Sequence, residues 1–168
     1  MYVKRVLFVC SGNVFRSLIA KQFLESYLKK SKINGIKVDS AGTETPTENA
    51  NKIVRAEIKK RGISFKHKPK KISLLLLNKS DLVVSMGTNH KKILMERYGK
   101  NSVLFNRLAY GKNTGIPDIE EKYPHLWKLS KSERMKRPEY IKRIKDVANH
   151  IYRGTPKLAE KIVKTLEL

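Results

Sequence analysis

A run of four apolar residues, Val6-Leu7-Phe8-Val9, passes directly into Cys10-Ser11-Gly12-Asn13-Val14-Phe15-Arg16-Ser17, and beyond it apolar residues recur every four positions. Continuous apolarity from Val6 predicts a first strand, Tyr2 to Val9, covered on both faces. The recurrence of Ile19, Phe23 and Tyr27, with Ala20, Leu24 and Leu28 beside them, predicts an amphipathic helix from Ser17 to about Lys30. A short glycine-containing loop therefore joins a buried strand to a helix N-terminus, where backbone N–H groups and the helix dipole gather an anion.

The rest of the chain keeps the alternation. Asn34-Gly35 closes the first helix, and Ile36 to Ser40 reads as a second strand entering the turn-rich Asp39-Ser40-Ala41-Gly42-Thr43. Glu44 to Asn51 is a polar loop, and Ala50 to Arg61 supports a helix stopped by Gly62. Asp81 to Ser85 is a third, buried strand. Met86-Gly87-Thr88-Asn89 turns the chain into a helix ended by Gly99, and Ser102 to Phe105 is the fourth strand. From Asn106 to about Pro124 the chain reads as a long irregular loop with Gly111, Gly115 and Pro117 as breakers; it carries Asp118, and such loops are more often functional than idle. In the last third Pro138 suits a first helical turn, and Ile141, Ile144, Ala148 and Ile151 keep helical spacing. Gly154-Thr155-Pro156 is expected to break or kink that helix before Leu158 resumes the pattern.

With neither repeat nor linker, and 40% hydrophobic content over 168 residues, the expectation is one domain, 1–168. Strands separated by helices imply an α/β fold: a parallel sheet with helices on both faces, linked by right-handed crossovers. Ligands of such sheets bind beyond the carboxyl ends of the strands, where Cys10, Thr43, Met86 and the Asp118 loop all fall.

Chemistry concentrates in the first loop. Cys10 is the only cysteine, and a strand end facing a helix N-terminus beside a guanidinium suits a thiolate nucleophile. The rival role is a small buried hydrophobe, and the Gly-Asn and Arg-Ser neighbours favour the nucleophile. Arg16 offers a planar fork of donors matched to two oxygens of a tetrahedral oxyanion. Gly12 and Asn13 tolerate the left-handed backbone angles that turn successive N–H groups inward. Ser17 can donate to the sulfur or cap the helix. Together these residues form a phosphate cradle with sulfur at its floor.

Cys-x5-Arg-Ser with Gly-Asn inside it, within the first twenty residues and directly after the first strand, resembles the signature loop of the low-molecular-weight protein tyrosine phosphatase family. Ser40-Ala41-Gly42-Thr43 also matches the family pattern, and the resemblance covers essentially the whole chain. It implies a flavodoxin-like, four-stranded parallel sheet with its phosphate-binding loop after the first strand. It also implies an enzyme without cofactor or metal that acts on phosphorylated proteins. Cys10 would attack phosphorus to give a phosphocysteine. Ser11, Gly12, Asn13, Val14, Phe15, Arg16 and Ser17 would hold the phosphate, and Asp118 would be the general acid. In the family that aspartate is normally followed by proline; here Ile119 follows it, and Glu120 and Glu121 are rival acids.

Position 14 bears on the substrate. Tyrosine phosphatases of the family typically carry isoleucine there and phosphoarginine phosphatases threonine, so Val14 favours the flat, apolar stem of phosphotyrosine, with phosphoarginine the alternative. Phe15 stands where many relatives have a second cysteine, which removes the usual protective disulfide. The aromatics that commonly follow the aspartate are missing. Tyr123 and Trp127 are the substitutes at hand, core packing being the favoured role for Trp127. An arsenate reductase of this fold needs further cysteines and is excluded.

Charge sets the outer limits. A formal net charge of +22 attracts polyanions, and residues 52–71 hold nine Lys or Arg against Glu57 alone. That run reads as a solvated face, with weak nonspecific nucleic-acid binding as its alternative use; a nucleic-acid-binding protein with a vestigial cradle lacks the zinc motif or aromatic-interleaved basic run to support it. No signal peptide and no apolar span of membrane length is recognisable, which with the single cysteine points to the cytoplasm and to no membrane partner. His67, His90, His125 and His150 are scattered and form no metal-ligand pattern.

Overall fold

The alternation of side chains along β1, Lys4–Cys10, explains why Val6 to Val9 contains no polar residue. Val6, Phe8 and Cys10 enter one apolar cluster, and Leu7 and Val9 enter a second on the opposite face. The computed structural model describes residues 2–168. β1 pairs in parallel with β2, Ile36–Gly42, and with β3, Leu82–Ser85; β3 pairs in parallel with the two-residue β4, Val103–Leu104. The sheet order is β2-β1-β3-β4, the doubly wound arrangement expected from the sequence.

One face is covered by α1, Arg16–Lys30, α2, Lys52–Lys59, α5, Phe105–Tyr110, and α8, Pro138–Thr165. The other is covered by α3, Leu74–Asn78, and α4, Thr88–Tyr98, through Leu77 and Leu94. Short elements complete the chain: α6, Ile119–Lys122, a 3-10 turn over Pro124–Lys128, and α7, Lys131–Arg134. Among the described residues no helix is long and apolar enough to cross a membrane.

Two expectations are corrected. The stretch from Asn106 to Pro124 is not irregular throughout, because Gly111 acts as the left-handed C-cap of α5, φ 70°, and so terminates a helix rather than preventing one. Nor does Gly154-Thr155-Pro156 interrupt the last helix, since α8 runs through it. Ile144, Val147 and Ile151 before the proline and Leu158, Ala159 and Ile162 after it are all buried against the same core. That packing outweighs the backbone hydrogen bond the proline cannot make. Gly154 serves contact instead, for a Cβ there would lie 2.9 Å from Ala109 Cβ and 2.9 Å from Tyr110 Cε2 on α5.

Candidate active site

The cradle occupies the gap between the end of β1 and the start of α1. Cys10 is buried at the strand terminus, and Ser11 to Phe15 wrap in front of it. Among the described residues no protein acceptor receives the backbone N–H of Ser11, Gly12, Asn13, Val14 or Phe15, which leaves a run of donors for an anion. Only Asn13 has a left-handed backbone, φ 57°; Gly12, expected to share that role, does not. The closest approach in the loop's support falls at Gly42, paired with Cys10 across the sheet, where a Cβ would lie 2.2 Å from the Ser11 carbonyl oxygen.

Asn13 organises the floor. Its Nδ2 donates to Ser17 Oγ at 3.0 Å and to Ser40 Oγ at 2.9 Å, using both amide hydrogens. Ser17 Oγ lies 2.9 Å from Cys10 Sγ and accepts from Asn13 Nδ2, which leaves its hydroxyl hydrogen available to the sulfur. Of the two roles open to Ser17, contact with the Cys10 sulfur is the one present, since α1 starts without a side-chain cap. The basic segment after α2 braces the loop from outside: His67 Nε2 contacts Asn13 O at 2.7 Å, and Lys70 N donates to Asn13 Oδ1 at 3.1 Å. The lysines in that run are exposed, as a solvated face requires, while the His67 ring and the Lys70 backbone N–H hold the cradle.

His90, at the start of α4, was missed as a site residue because in the sequence it is one of four isolated histidines. It is fully buried, and Gly87 N donates to its Nδ1 at 3.0 Å, so the ring hydrogen is on Nε2, 2.9 Å from Ser11 Oγ. Burial first, and the Arg16 charge second, lower its pKa to about 3. The neutral ring donates to Ser11 and leaves the Ser11 hydroxyl hydrogen free to turn toward the cleft.

Arg16 ties the cradle to the loop that follows α5. Its side chain is 1% exposed; Nη1 donates to Ile116 O at 2.8 Å and Nη2 to Asp118 Oδ2 at 2.8 Å. Glu121 Oε1 lies 3.4 Å from Nη1, and among the described residues Arg16 Nε has no partner. Asp118 is also the N-cap of α6: its Oδ1 accepts from Ile119 N at 2.7 Å, and Glu121 Oε1 accepts from Asp118 N at 3.1 Å. One carboxylate oxygen is thereby fixed by the cap while the other faces Arg16, so α6 orients Asp118 where a following proline would otherwise stiffen the loop. Arg143 on α8 adds a bond to Pro117 O, a contact that helical periodicity could not announce.

Over the cradle lies a cleft of about 430 Å³. Val14, Phe15, Val54, Ile119, Trp127 and Tyr140 supply its apolar lining, and Glu44, Glu48, Asp118, Glu120 and Glu121 its acidic one. Trp127, expected in the core, is instead 38% exposed on this cleft; Tyr123 is not part of its lining. Tyr140, its hydroxyl accepting from Asn51 Nδ2 at 3.0 Å, is an aromatic wall the sequence did not single out. Cys10, Arg16 and Asp118 therefore meet at one end of the sheet, with Glu121 on Arg16 and Glu120 on the cleft surface.

A sequence model of low molecular weight phosphotyrosine protein phosphatase matches residues 5–166. A curated protein-arginine-phosphatase of Geobacillus stearothermophilus is 31% identical over 56% of this chain, and the match spans only 62% of that relative's own length. The low molecular weight protein-tyrosine-phosphatase YfkJ of Bacillus subtilis is 31% identical over 70% of this chain and 80% of its own. The solved low molecular weight protein tyrosine phosphatase of T. tengcongensis superposes with a TM-score of 0.76, covering 94% of this chain and 99% of that one at 24% identity, which is agreement of fold. With the match running almost from end to end, the chain belongs to the low molecular weight phosphotyrosine protein phosphatase family.

Proposed function

We propose that this protein hydrolyses phosphotyrosine in proteins through a phosphocysteine at Cys10. The observation that carries the reading is the 2.8 Å contact between Arg16 and Asp118, residues far apart in sequence, which sets a carboxyl group against the guanidinium of the loop that begins at Cys10. The Cys10 thiolate attacks phosphorus in line; the S–P bond forms as the bond to the tyrosine oxygen breaks, and Asp118 delivers a proton to that oxygen. Arg16 and the free N–H groups of the loop meet the charge on the equatorial oxygens. Asp118 then takes a proton from the water that attacks the phosphocysteine, releasing phosphate and restoring the thiolate. Val14 with Trp127 and Tyr140 supports a flat aromatic stem.

Phosphoarginine is the second reading, favoured by the carboxylates of the cleft and by the name of the Geobacillus relative. Val14 opposes it, because a hydrocarbon wall leaves a guanidinium N–H without a partner, a loss of about 1 to 3 kcal/mol for a buried donor. The test compares kcat/KM for phosphotyrosine, phosphoserine and phosphoarginine in the wild type and in Val14→Thr, with Cys10→Ser as the inactive control and a chelator present throughout. Preference for phosphotyrosine, with a shift toward phosphoarginine only in Val14→Thr, is expected. Equal or greater wild-type activity on phosphoarginine overturns the assignment, and a fully active Cys10→Ser overturns the mechanism.

A further inference from the structure

The cleft inverts the charge of the molecule around it. Lys and Arg number 37 in the chain against 15 Asp and Glu, yet the cleft lining contains five carboxylates and no lysine or arginine. Among the described residues Glu44 and Glu120 form no ion pair in spite of that excess of cations. A phosphorylated side chain cannot account for so many carboxylates. Asp118 is engaged by Arg16, and a phosphotyrosine stem has no positive charge. Even a phosphoarginine stem presents a single guanidinium. Glu44, Glu48 and Glu120 are left to face groups other than the phosphorylated residue itself.

Two side chains of the protein already show what those groups are. Lys131 of α7 pairs with Glu48, and Arg134 of the same short helix lies over the Trp127 ring, 4.4 Å from its centroid. Both acceptors line the cleft. One turn of helix thus places two cations on the rim, one on a carboxylate and one on an aromatic face, the partners an incoming basic segment would seek. The cleft is a ligand site on separate grounds, because it opens onto Ser11, Gly12, Val14 and Phe15, whose backbone N–H groups have no protein acceptor, and the buried Arg16 that follows them in the chain leaves Nε without a partner among the described residues.

From this we infer that the preferred substrate is a phosphorylated residue flanked by lysine or arginine within about two or three positions, at 3.3 to 3.6 Å of extended chain per residue. The inference rests on the proposed phosphatase reading and adds the class of sequence that the cleft selects. Phosphate descends to the anion-binding floor while the flanking cations remain at the rim, meeting Glu44 and Glu120 and competing with Lys131 for Glu48. The net positive field of the rest of the surface opposes this choice at long range, and about 0.15 M salt limits that field to roughly 8 Å.

The test uses two phosphotyrosyl peptides identical except for lysine or glutamate at the flanking positions, assayed at about 0.15 M salt. The lysine peptide is expected to have a kcat/KM higher by about tenfold, mostly through KM, the effect of two or three partly exposed ion pairs acting together. Glu44→Gln with Glu48→Gln should reduce that ratio several-fold, and Lys131→Ala should lower KM for the lysine peptide. Equal rates on the two peptides, or preference for the glutamate one, overturn the inference even if aryl phosphate is hydrolysed normally. If instead no phosphoester is turned over, the phosphatase reading has failed, and the ratio of peptide affinities for the unmodified protein still decides between a basic and an acidic ligand. The same flank ratio with phosphoarginine peptides separates rim recognition from preference for a cationic stem, since only rim recognition is independent of the stem.

Discussion

Asn13 donates to Ser17 Oγ and so leaves the Ser17 hydroxyl hydrogen available to Cys10 Sγ, 2.9 Å away. Local satisfaction of this kind recurs at Asp118, whose two oxygens are divided between the cap of α6 and Arg16. Asp118→Asn keeps an oxygen for the cap and removes the transferable proton, so α6 should survive while hydrolysis of aryl phosphates slows by about two to four orders of magnitude. Steady-state rates on a series of leaving groups check this. Substrates whose leaving groups need no proton should lose least, and greater damage from Glu120→Gln would reassign the acid. Glu121→Gln retains the acceptor for Asp118 N but removes a charge that lies against Arg16. Inhibition by inorganic phosphate should therefore tighten by about two- to fivefold, as expected for a half-exposed charge.

At the scale of elements, the Asp118 loop is held from two directions, by Arg16 of α1 on the Ile116 carbonyl and by Arg143 of α8 on the Pro117 carbonyl. The position of α8 therefore matters to the site as well as to the core. Its contact with α5 depends on the absence of a side chain at Gly154. Gly154→Ala gains helix propensity but forces two helices apart, a cost of about 1 to 3 kcal/mol for overpacking that exceeds the gain of about 1 kcal/mol. Thermal unfolding should show a lower Tm; an unchanged or raised Tm would mean that α5 yields without strain. Thr155 Oγ1, which donates to Ile151 O at 2.7 Å, adds a bond beside the proline and should tolerate serine better than valine.

Across the whole molecule, three histidines are held neutral by burial: His90, with its pKa lowered to about 3, and His67 and His150, both lowered. Each binds a proton more readily in the unfolded chain, near its ordinary value of 6.5, than in the folded one. The stability that depends on these neutral rings is thus fully present above pH 6.5 and falls as pH drops below it, for His90 down to about 3. Glu25, raised by burial, acts in the opposite sense around the carboxylate range and does not cancel a loss that begins at higher pH. Denaturant unfolding at pH 7 and pH 5 should show the decline, and His90→Asn should reduce it. A variant with the same pH slope as wild type would remove His90 from the account. The net charge of +22 adds self-repulsion that also grows on acidification, and salt should relieve that part alone.

The strand-loop-helix at the N-terminus and the parallel sheet were legible in the sequence, because they depend on periodicity and on residue types at short spacing, as does the grouping of Cys10 with Arg16; Asp118 was singled out only through the family resemblance, and its contact with Arg16 is a matter of tertiary structure. Terminators were legible too, though Gly111 and Pro156 show that a breaker marks where a helix can end and that packing decides whether it does. Glycine at 154 and at 42 has meaning only through a neighbour distant in sequence, as do His90 against Ser11 and Arg143 against Pro117. The acidic cleft is of the same kind. Its carboxylates come from the segment after β2 and from the loop and helix around Asp118, and neither segment alone differs from a solvated surface. Sequence spacing determines which groups share a helix face or a turn. Only the crossing of separate elements determines which charges face one another, and that is what sets the chemistry of the rim.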